Sequence, residues 1–391
     1  MSYIFRKITP LILAVLERGK SVLLLGPRQT GKTTLLRHIP SDLTISLIEP
    51  RHRLRYEKDP QLLADEIGAL GVEFPLVIID EIQKVPDLMD VVQWVIDQGK
   101  AQFILTASSA RKLKHHSRDI NLLPGRVVAF MMPPMGLSEF PQSPPLDSLL
   151  SYGSLPGIYS LTEEEKNEDL GTYVVTYLEE EVRAEALVRN LGSFARFLEL
   201  AASESGNIIN FAKLSKEIGV SQYTIQSYFQ ILEDCLIIKR IEPITTGKTR
   251  KKLTRSPRYL FFDLGVRRLA SKEDAHPPLM AKGQWFEQWV GLELLKLVPF
   301  YKDRPFHLHF WRDPSGPEVD WVLQVGQQYI PIEVKWTDAP DKKDAKHLIT
   351  FMSEYPCTKG YVICRTPRPV KLSESVIALP WQDIATVFES R

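Results

Sequence analysis

The chain of 391 residues is poor in cysteine and has no long apolar run. Its three cysteines, Cys235, Cys357 and Cys364, are too few and too scattered for a disulfide framework, and the last two fit no common zinc-binding spacing. We therefore expect buried free thiols and a reducing compartment, with the cytoplasm as the default location. No apolar run approaches the roughly 18 residues that cross a bilayer, so the sequence predicts no membrane association.

An excess of charge of one sign is also missing, because the formal net charge is +1. A composition of 44% hydrophobic and 25% charged residues is typical of a globular protein and excludes a disordered or collagen-like chain. Locally the balance is uneven. Residues 151–238 hold 6 Lys and Arg against 14 Asp and Glu, and residues 239–258 hold 8 against 1. An acidic block therefore precedes a basic strip.

The length suits two or three domains, and the pattern predicts three. Residues 1–140 alternate apolar runs such as Ser21–Leu25 and Leu76–Ile79 with helical stretches. This alternation predicts an α/β domain with a parallel sheet. After a proline-rich boundary, residues 146–257 are mostly helical in pattern, and residues 258–391 mix strands and helices.

The first chemical motif is a phosphate-binding loop that follows an apolar strand and precedes a helix. It fits the pattern G-x-x-x-x-G-K-[ST], in which backbone N–H groups and a helix N-terminus face phosphates. Lys32 is expected to reach the β- and γ-phosphates of ATP, and the Thr33 hydroxyl to bind Mg²⁺. The predicted nucleotide-binding residues are Gly26, Pro27, Arg28, Gln29, Thr30, Gly31, Lys32, Thr33 and Thr34.

Acidic and polar residues follow the next two predicted strands. Asp80 and Glu81 end one of them, where ligands bind in doubly wound sheets. We expect Asp80 to hold the Mg²⁺ shell and Glu81 to orient or activate the attacking water. Ser108 is our choice to sense the γ-phosphate or position the water, with Ser109 and Thr106 as rivals.

Arg126 follows in a Pro-Gly-Arg turn. It is either an arginine finger for a neighbouring subunit's nucleotide or a structural turn residue, and the spacing favours neither.

The middle region carries a helix-turn-helix pattern with Gly219 in the turn and Ser221 as the next N-cap. The apolar run at 236–241 then predicts the first strand of a wing. The basic strip on or after it would neutralise DNA phosphates. Its residues are Lys248, Arg250, Lys251, Lys252, Arg255 and Arg258. The alternatives are a winged helix that packs against protein, or the helical lid that AAA+ proteins place here.

The C-terminal region predicts a hairpin centred at Gly326-Gln327 in which Asp320 lies opposite Glu333. Lys335 shares the face of Glu333, and Glu287 lies on an upstream amphipathic helix. This set of residue types is that of PD-(D/E)xK nucleases. Asp320 and Glu333 would bind Mg²⁺ or Mn²⁺, with Glu287 completing the shell and Lys335 activating water. The alternative is an ordinary hairpin with an acidic face.

Together these motifs resemble a family of prokaryotic AAA+ ATPases with a nuclease-like C-terminal domain. The resemblance rests on LLLGPRQTGKTTLL, LVIIDEIQKVPDL, FILTASS, LPGR, SLPG, RSPRYLFFDLGVRRL, GQWFEQWV, EVDW and IEVK, and covers nearly the whole chain. Ala107 departs from it, since the family often has glycine there. The resemblance implies an AAA+ domain, a helical or winged-helix middle and a restriction-endonuclease-like α/β domain, assembled as a homo-oligomer, such as a hexamer.

Two functions are compatible with these observations. The first is an ATPase that hydrolyses ATP with Mg²⁺ to act on DNA, with metal-dependent nuclease activity at its C-terminal end. The second is an ATP-dependent switch or scaffold that recruits protein partners and does not cut DNA. Glu81 favours the first, since pure switches often lack that acid.

Overall fold

The computed structural model describes residues 3–110, 113, 123, 125–178, 191–245, 256–301, 303–313 and 316–389. Its N-terminal unit is a five-stranded sheet in the order β2-β3-β4-β1-β5, with every neighbouring pair parallel. The strands are β1 Ser21–Leu25, β2 Leu43–Ser46, β3 Leu76–Asp80, β4 Gln102–Ala107 and β5 Val127–Met131. The parallel sheet expected from the alternating pattern is confirmed.

Helices cover both faces of this sheet, because the central strands β1, β3 and β4 are buried on both sides. One core packs under α3, α4 and α5, and the other under α1 and α2. The helices are α1 Thr9–Leu16, α2 Lys32–Leu36, α3 Pro50–Lys58, α4 Leu62–Ala69 and α5 Leu88–Asp97, with a 3-10 turn at Ile82–Lys84.

The middle unit is helical and has its own core. As predicted, Ser221 is the N-cap of the helix Gln222–Asp234, accepting a hydrogen bond from the Thr224 amide, and Gly219 lies in the turn before it, where its backbone is left-handed. Helix α7 continues into a π-helical turn at Tyr173–Leu178. The helices are α6 Leu146–Tyr152, α7 Glu163–Thr172, α8 Leu191–Ser203, α9 Phe211–Ile218, α10 Gln222–Asp234 and α11 Leu264–Ala270.

The C-terminal unit is built on a mixed eight-stranded sheet in the order β12-β13-β11-β10-β9-β8-β6-β7. Helix α12 (Leu279–Leu297) packs on one face and α13 (Lys346–Glu354) on the other. The strands are β6 Ile238–Pro243, β7 Arg258–Phe261, β8 Phe306–Arg312, β9 Glu318–Val325, β10 Gln328–Val334, β11 Gly360–Cys364, β12 Val370–Lys371 and β13 Val376–Pro380.

Strands β6 and β7 join the middle unit to the C-terminal sheet. They pair with each other, and β6 also pairs with β8. Tyr259 and Phe261 face the helical core, whereas Leu260 between them faces the core under α12, because side chains alternate along a strand. The predicted limit between residues 257 and 258 therefore separates two strands that pair with each other.

In the described part of the chain, no helix has the length and apolar character to cross a membrane.

Candidate phosphate and carboxylate sites

The loop between β1 and α2 is shaped by two glycines with different constraints. Gly31 has a φ of 94°, a conformation that favours glycine. Gly26 is confined by space, since a Cβ atom there would lie 2.4 Å from the Met132 carbonyl oxygen. Arg6, buried in front of α1, donates to the carbonyl oxygens of Thr30 and Pro133. The loop is thus held from outside by a residue that no sequence motif pointed to.

Lys32, Thr33 and Asp80 meet at the carboxyl ends of the strands. The Lys32 ammonium donates to the carbonyl oxygens of Gly26 and Pro27, at 2.8 and 3.0 Å. The Thr33 hydroxyl donates to Asp80 Oδ2 at 2.7 Å. A hydroxyl beside a carboxylate is an oxygen ligand set that suits Mg²⁺. The structure therefore brings together the lysine, the hydroxyl and the carboxylate that the sequence predicted for this site.

Glu81 is fixed by its backbone and by one carboxylate oxygen. Its φ is 62°, in the left-handed region, and its amide donates to the Thr106 hydroxyl at 2.9 Å. Ser108 donates to Glu81 Oε2 at 2.7 Å, and Gln83 donates to the same oxygen. Of the three candidates for the polar position after β4, Ser108 contacts the Glu81 carboxylate, whereas the Thr106 hydroxyl accepts from the Glu81 amide and donates to Asp80 at 2.5 Å.

A cavity of about 680 Å³ opens in front of these groups. Lys32, Thr33 and Glu81 line its phosphate end, and Arg28 and Gln29 line the same cavity. The middle unit contributes Pro156, Gly157 and Tyr177, and the Tyr177 ring lies 4.7 Å from the Arg28 guanidinium carbon. The remaining lining residues are Tyr3, Ile4, Arg6, Gly31, Thr34, His38, Ile48 and Lys84.

Arg126 lies at the opposite edge of the sheet. It precedes β5, whose first residue pairs with Ser21 at the start of β1, whereas the phosphate-binding loop follows the end of β1. Its guanidinium binds the Asp97 carboxylate through Nε and Nη2, at 2.5 and 2.9 Å. Within one chain Arg126 does not reach the cavity, so a role at a nucleotide requires a second subunit.

The C-terminal hairpin has the predicted register. Val325 pairs with Gln328 and Trp321 with Ile332, which places Asp320 opposite Glu333 at the next step. The Val334 amide donates to Asp320 Oδ2 at 2.7 Å, and Lys335 donates to Glu333 Oε1 at 2.7 Å. The structure therefore brings these predicted residues together beside α12.

Glu287 on α12 completes this group and pairs with a residue from β7. Arg258 Nη1 donates to Glu287 Oε1 at 2.7 Å and to the Asp320 carbonyl oxygen at 3.2 Å. Its guanidinium carbon also lies 4.6 Å from the centre of the Phe310 ring. The prediction that Arg258 belongs to a DNA-facing strip is wrong, because this side chain is buried against the carboxylates.

Burial and mutual repulsion alter the protonation of these carboxyl groups. Burial, followed by the Asp320 charge, raises the pKa of both Glu287 and Glu333 to about 8. Burial also raises the pKa of Asp320. Burial acts to lower the pKa of Lys335, but the charges of Glu333 and Asp320 outweigh it and raise that pKa. The acids thus hold protons more tightly than exposed carboxyl groups.

A metal ion would need oxygen atoms that point at one position. Glu333 Oε2 is buried without a hydrogen-bond partner, as a ligand atom would be. Within the ranges that the structure describes, however, no three His, Cys, Asp or Glu side chains converge closely enough to hold a metal ion. Arg258 and Lys335 supply the positive charge in this arrangement.

The remaining predicted site residues lie outside the described residues. They are Lys248, Arg250, Lys251, Lys252 and Arg255, all in the segment between β6 and β7. Sequence reasoning missed the roles of Arg6 and Gln83. Arg6 precedes every motif, and nothing in the sequence pointed to its role. Gln83 lies only two residues after Glu81, and this proximity was a local signal that could have been used.

Three families of known proteins match successive parts of the chain. Residues 18–141 match the family described as "AAA domain", residues 144–276 a domain of unknown function (DUF8612), and residues 282–384 a second domain of unknown function (DUF4143). The N-terminal unit is thus an AAA-type P-loop domain. This confirms the expected AAA class for that unit, whereas ATP hydrolysis stays a prediction. The third family has no assigned function, so the nuclease-like character of the C-terminal unit stays a prediction.

Similar whole proteins include the uncharacterized proteins Mb2031c of Mycobacterium bovis and Rv2008c of Mycobacterium tuberculosis. Each is 25% identical over 377 residues, which span 95% of this chain and 82% of the relative.

Solved structures include AMPPCP-bound DnaA from Aquifex aeolicus, at 13% identity and a TM-score of 0.31 over 59% of this chain and 89% of that one. Protein VC1899 from Vibrio cholerae has 12% identity and a TM-score of 0.20 over 94% and 96%.

Proposed function

We propose that the protein is a Mg²⁺-dependent ATPase that acts on DNA as a homo-oligomer. The observation that carries the ATPase part is the phosphate end of the cavity, where Lys32, Thr33 and Asp80 meet beside Glu81. Thr33 and Asp80 would hold Mg²⁺, which supplies charge neutralisation on the phosphates when it is bound. Lys32 would leave its two backbone carbonyl partners to bind the phosphates.

The test of this activity is steady-state phosphate release by the full chain with Mg²⁺ and ATP. Lys32→Ala removes the ammonium that contacts the phosphates, so we expect turnover to fall by at least about a hundredfold. The control is Lys100→Ala in the same domain, whose ammonium stacks on Trp94 away from the cavity. Turnover that does not depend on Lys32, with or without DNA, would favour the switch or scaffold function instead.

The DNA part of the proposal is supported by the order of elements in the middle unit. Helices α8, α9 and α10 are followed by the paired strands β6 and β7, and Ile208 between α8 and α9 forms a bridge with Arg258. This is the element order of a winged helix, with Lys248, Arg250, Lys251, Lys252 and Arg255 between its two strands in the sequence. Lys251→Gln/Lys252→Gln should weaken duplex binding and reduce its salt dependence. Equal affinity and equal salt slope for this variant would favour a protein-packing role.

A second candidate function, a metal-dependent nuclease, is supported by the grouping of Glu287, Asp320, Glu333 and Lys335. Asp320 and Glu333 would hold Mg²⁺ or Mn²⁺, and Lys335 would orient water at a phosphodiester. The assay is cleavage of labelled duplex and branched DNA with either ion. Asp320→Asn and Lys335→Met should each abolish cleavage, and cutting that survives both changes would exclude this site.

A further inference from the structure

Gln83 lies in the 3-10 turn that follows β3 and contacts two residues of the phosphate site. Its Nε2 donates to Glu81 Oε2 and to the Ser108 hydroxyl, the latter at 2.9 Å. Ser108 donates to the same Glu81 oxygen at 2.7 Å. Gln83 is 4% exposed and Ser108 is 1% exposed. One oxygen of Glu81 therefore receives two buried donors.

The orientation of the Gln83 amide is set by this carboxylate. An ionised carboxylate only accepts hydrogen bonds, so the NH₂ group must face it. The carbonyl atom Oε1 of the same amide is left buried without a hydrogen-bond partner. Such an atom costs roughly 1–3 kcal/mol in general. The Gln83 amide is therefore oriented by its contacts with Glu81 and Ser108, and its carbonyl oxygen is left without a hydrogen bond.

The second oxygen of Glu81 lies near the lysine of the phosphate-binding loop. Glu81 Oε1 lies 3.9 Å from Lys32 Nζ, and Glu81 lines the cavity together with Gly31 and Thr33. The Glu81 backbone is held as well, because its amide donates to Thr106. The carboxylate consequently has one oxygen restrained by Gln83 and Ser108 and one oxygen beside Lys32, the residue expected to bind the phosphates.

We propose that Gln83 is a positioning residue for Glu81 in ATP hydrolysis, an inference that rests on the proposed ATPase function. The water oxygen forms a bond to the γ-phosphorus, and the bond from that phosphorus to the β–γ bridging oxygen breaks as ADP leaves with the electron pair. The displaced water proton passes to Glu81 Oε1 and then to the phosphate product. Gln83 touches neither water nor phosphate and acts by holding Oε2.

The test is Gln83→Met, which keeps the side-chain length and removes both donated hydrogen bonds. We expect kcat to fall about tenfold to a hundredfold, because a displaced catalytic group costs about that much. The Kd for ATP, measured by displacement of a fluorescent nucleotide, should stay within about twofold, since Gln83 makes no contact with the phosphates. Gln83→Glu keeps the volume and adds a repelling charge, and its kcat should fall further.

Gln102→Met is a matched control at the other end of the same sheet. Gln102 is also buried, and its Nε2 donates two hydrogen bonds, to the carbonyl oxygens of Leu16 and Lys20 at 2.8 and 2.9 Å. It lies at the start of β4, far from the phosphate end. A melting temperature lowered as in Gln83→Met, with an unchanged kcat, is the expected result.

The outcomes separate the two levels of the proposal. If the unaltered protein shows no Lys32-dependent turnover, the ATPase function itself fails. If it does turn over and Gln83→Met keeps or exceeds its kcat, the positioning role is overturned while the ATPase function stands. Equal losses of kcat in the Gln83 and Gln102 variants, or a parallel loss of ATP affinity, would likewise overturn that role.

Discussion

The N-terminal phosphate site and the C-terminal carboxylate group use similar residues in opposite ways. Both place two or more acids beside a lysine. At the phosphate site, neutral donors hold the acids, namely Thr33 and Thr106 on Asp80, and Ser108 and Gln83 on Glu81. At the C-terminal site, the cations Arg258 and Lys335 hold Glu287 and Glu333.

This difference has an electrostatic consequence. Neutral donors orient a carboxylate but do not cancel its charge, so the charge of Glu81, which lines the open cavity, is opposed by Lys32 at 3.9 Å. Fixed cations at the C-terminal site balance the acids within the fold. The first site is arranged to receive a charged ligand, whereas the second is already partly neutralised by its own chain and must rearrange to bind a metal ion.

The largest expected effect on stability comes from breaking that internal balance. Arg258→Met leaves Glu287 beside Asp320 without its cation, and removing one partner of a buried pair costs about 3–5 kcal/mol in unfolding free energy. Arg312→Met is the control in the same sheet, since its pair with Glu318 is 3.3 Å long and exposed and is worth less than about 1 kcal/mol. Urea unfolding measures the free energy of unfolding of the two variants. Equal losses of this free energy would contradict the predicted difference between the buried and the exposed ion pair.

An intermediate loss of stability is expected from a substitution in the phosphate-binding loop. Gly26→Ala forces its Cβ against the Met132 backbone, and such overpacking costs about 1–3 kcal/mol. ATP binding should be lost as well, because the loop must move. Gly68→Ala in α4 meets nothing within 4 Å, and alanine there should stabilise the helix by up to about 1 kcal/mol. Thermal unfolding measures the melting temperature of each variant. A melting temperature lowered equally in both variants would exclude the steric explanation.

A pH effect on stability is expected from the C-terminal unit. Folding raises the pKa of Glu287 and Glu333 from 4.5 to about 8. The folded state thus binds more protons than the unfolded state in that window, so stability falls as the pH rises through it. The slope is at most about 1.4 kcal/mol per pH unit for each group. Glu333→Gln should flatten this slope between pH 5 and 8, as measured by urea unfolding, and an unchanged slope would contradict the prediction.

The smallest effect on stability is expected for Arg126→Ala, since the pair with Asp97 is exposed. If Arg126 serves a neighbouring subunit, this variant should nevertheless lose ATP turnover. Mixing it with Lys32→Ala should then restore part of the activity, because an intact loop from one subunit meets an intact arginine from the other. No recovery in mixed oligomers would assign Arg126 to a purely structural turn.

Local patterns were sufficient where the chemistry lies within a short segment. The phosphate-binding loop, the acids after β3 and the register of the β9–β10 hairpin follow from residues close in sequence, and each is found as expected. Arg6 could not be assigned this way, and the local signal for Gln83 was limited to its position two residues after Glu81. Their roles depend on Ser108, Thr30 and Pro133, which only the folded sheet brings near them.

The limits of the structural units also depend on contacts between residues that are distant in the sequence. The sequence pattern assigns β6 to a wing of the middle region and β7 to the start of the C-terminal unit. Pairing of β6 with β8 makes them part of the C-terminal sheet. Arg258 shows this most clearly. In the sequence it follows a run of basic residues of the kind usually found on a surface, whereas in the folded protein it lies among buried acids.

The sequence by itself determined the AAA-type loop, the parallel sheet behind it and the acid–lysine pattern of the C-terminal hairpin. These features depend on glycine conformation, side-chain periodicity and spacing, which are local properties of the chain. The tertiary structure alone decided how the charges are balanced at each site. Charge balance depends on which distant side chains share a buried volume, as Arg258 and Glu287 do, and no local pattern specifies that.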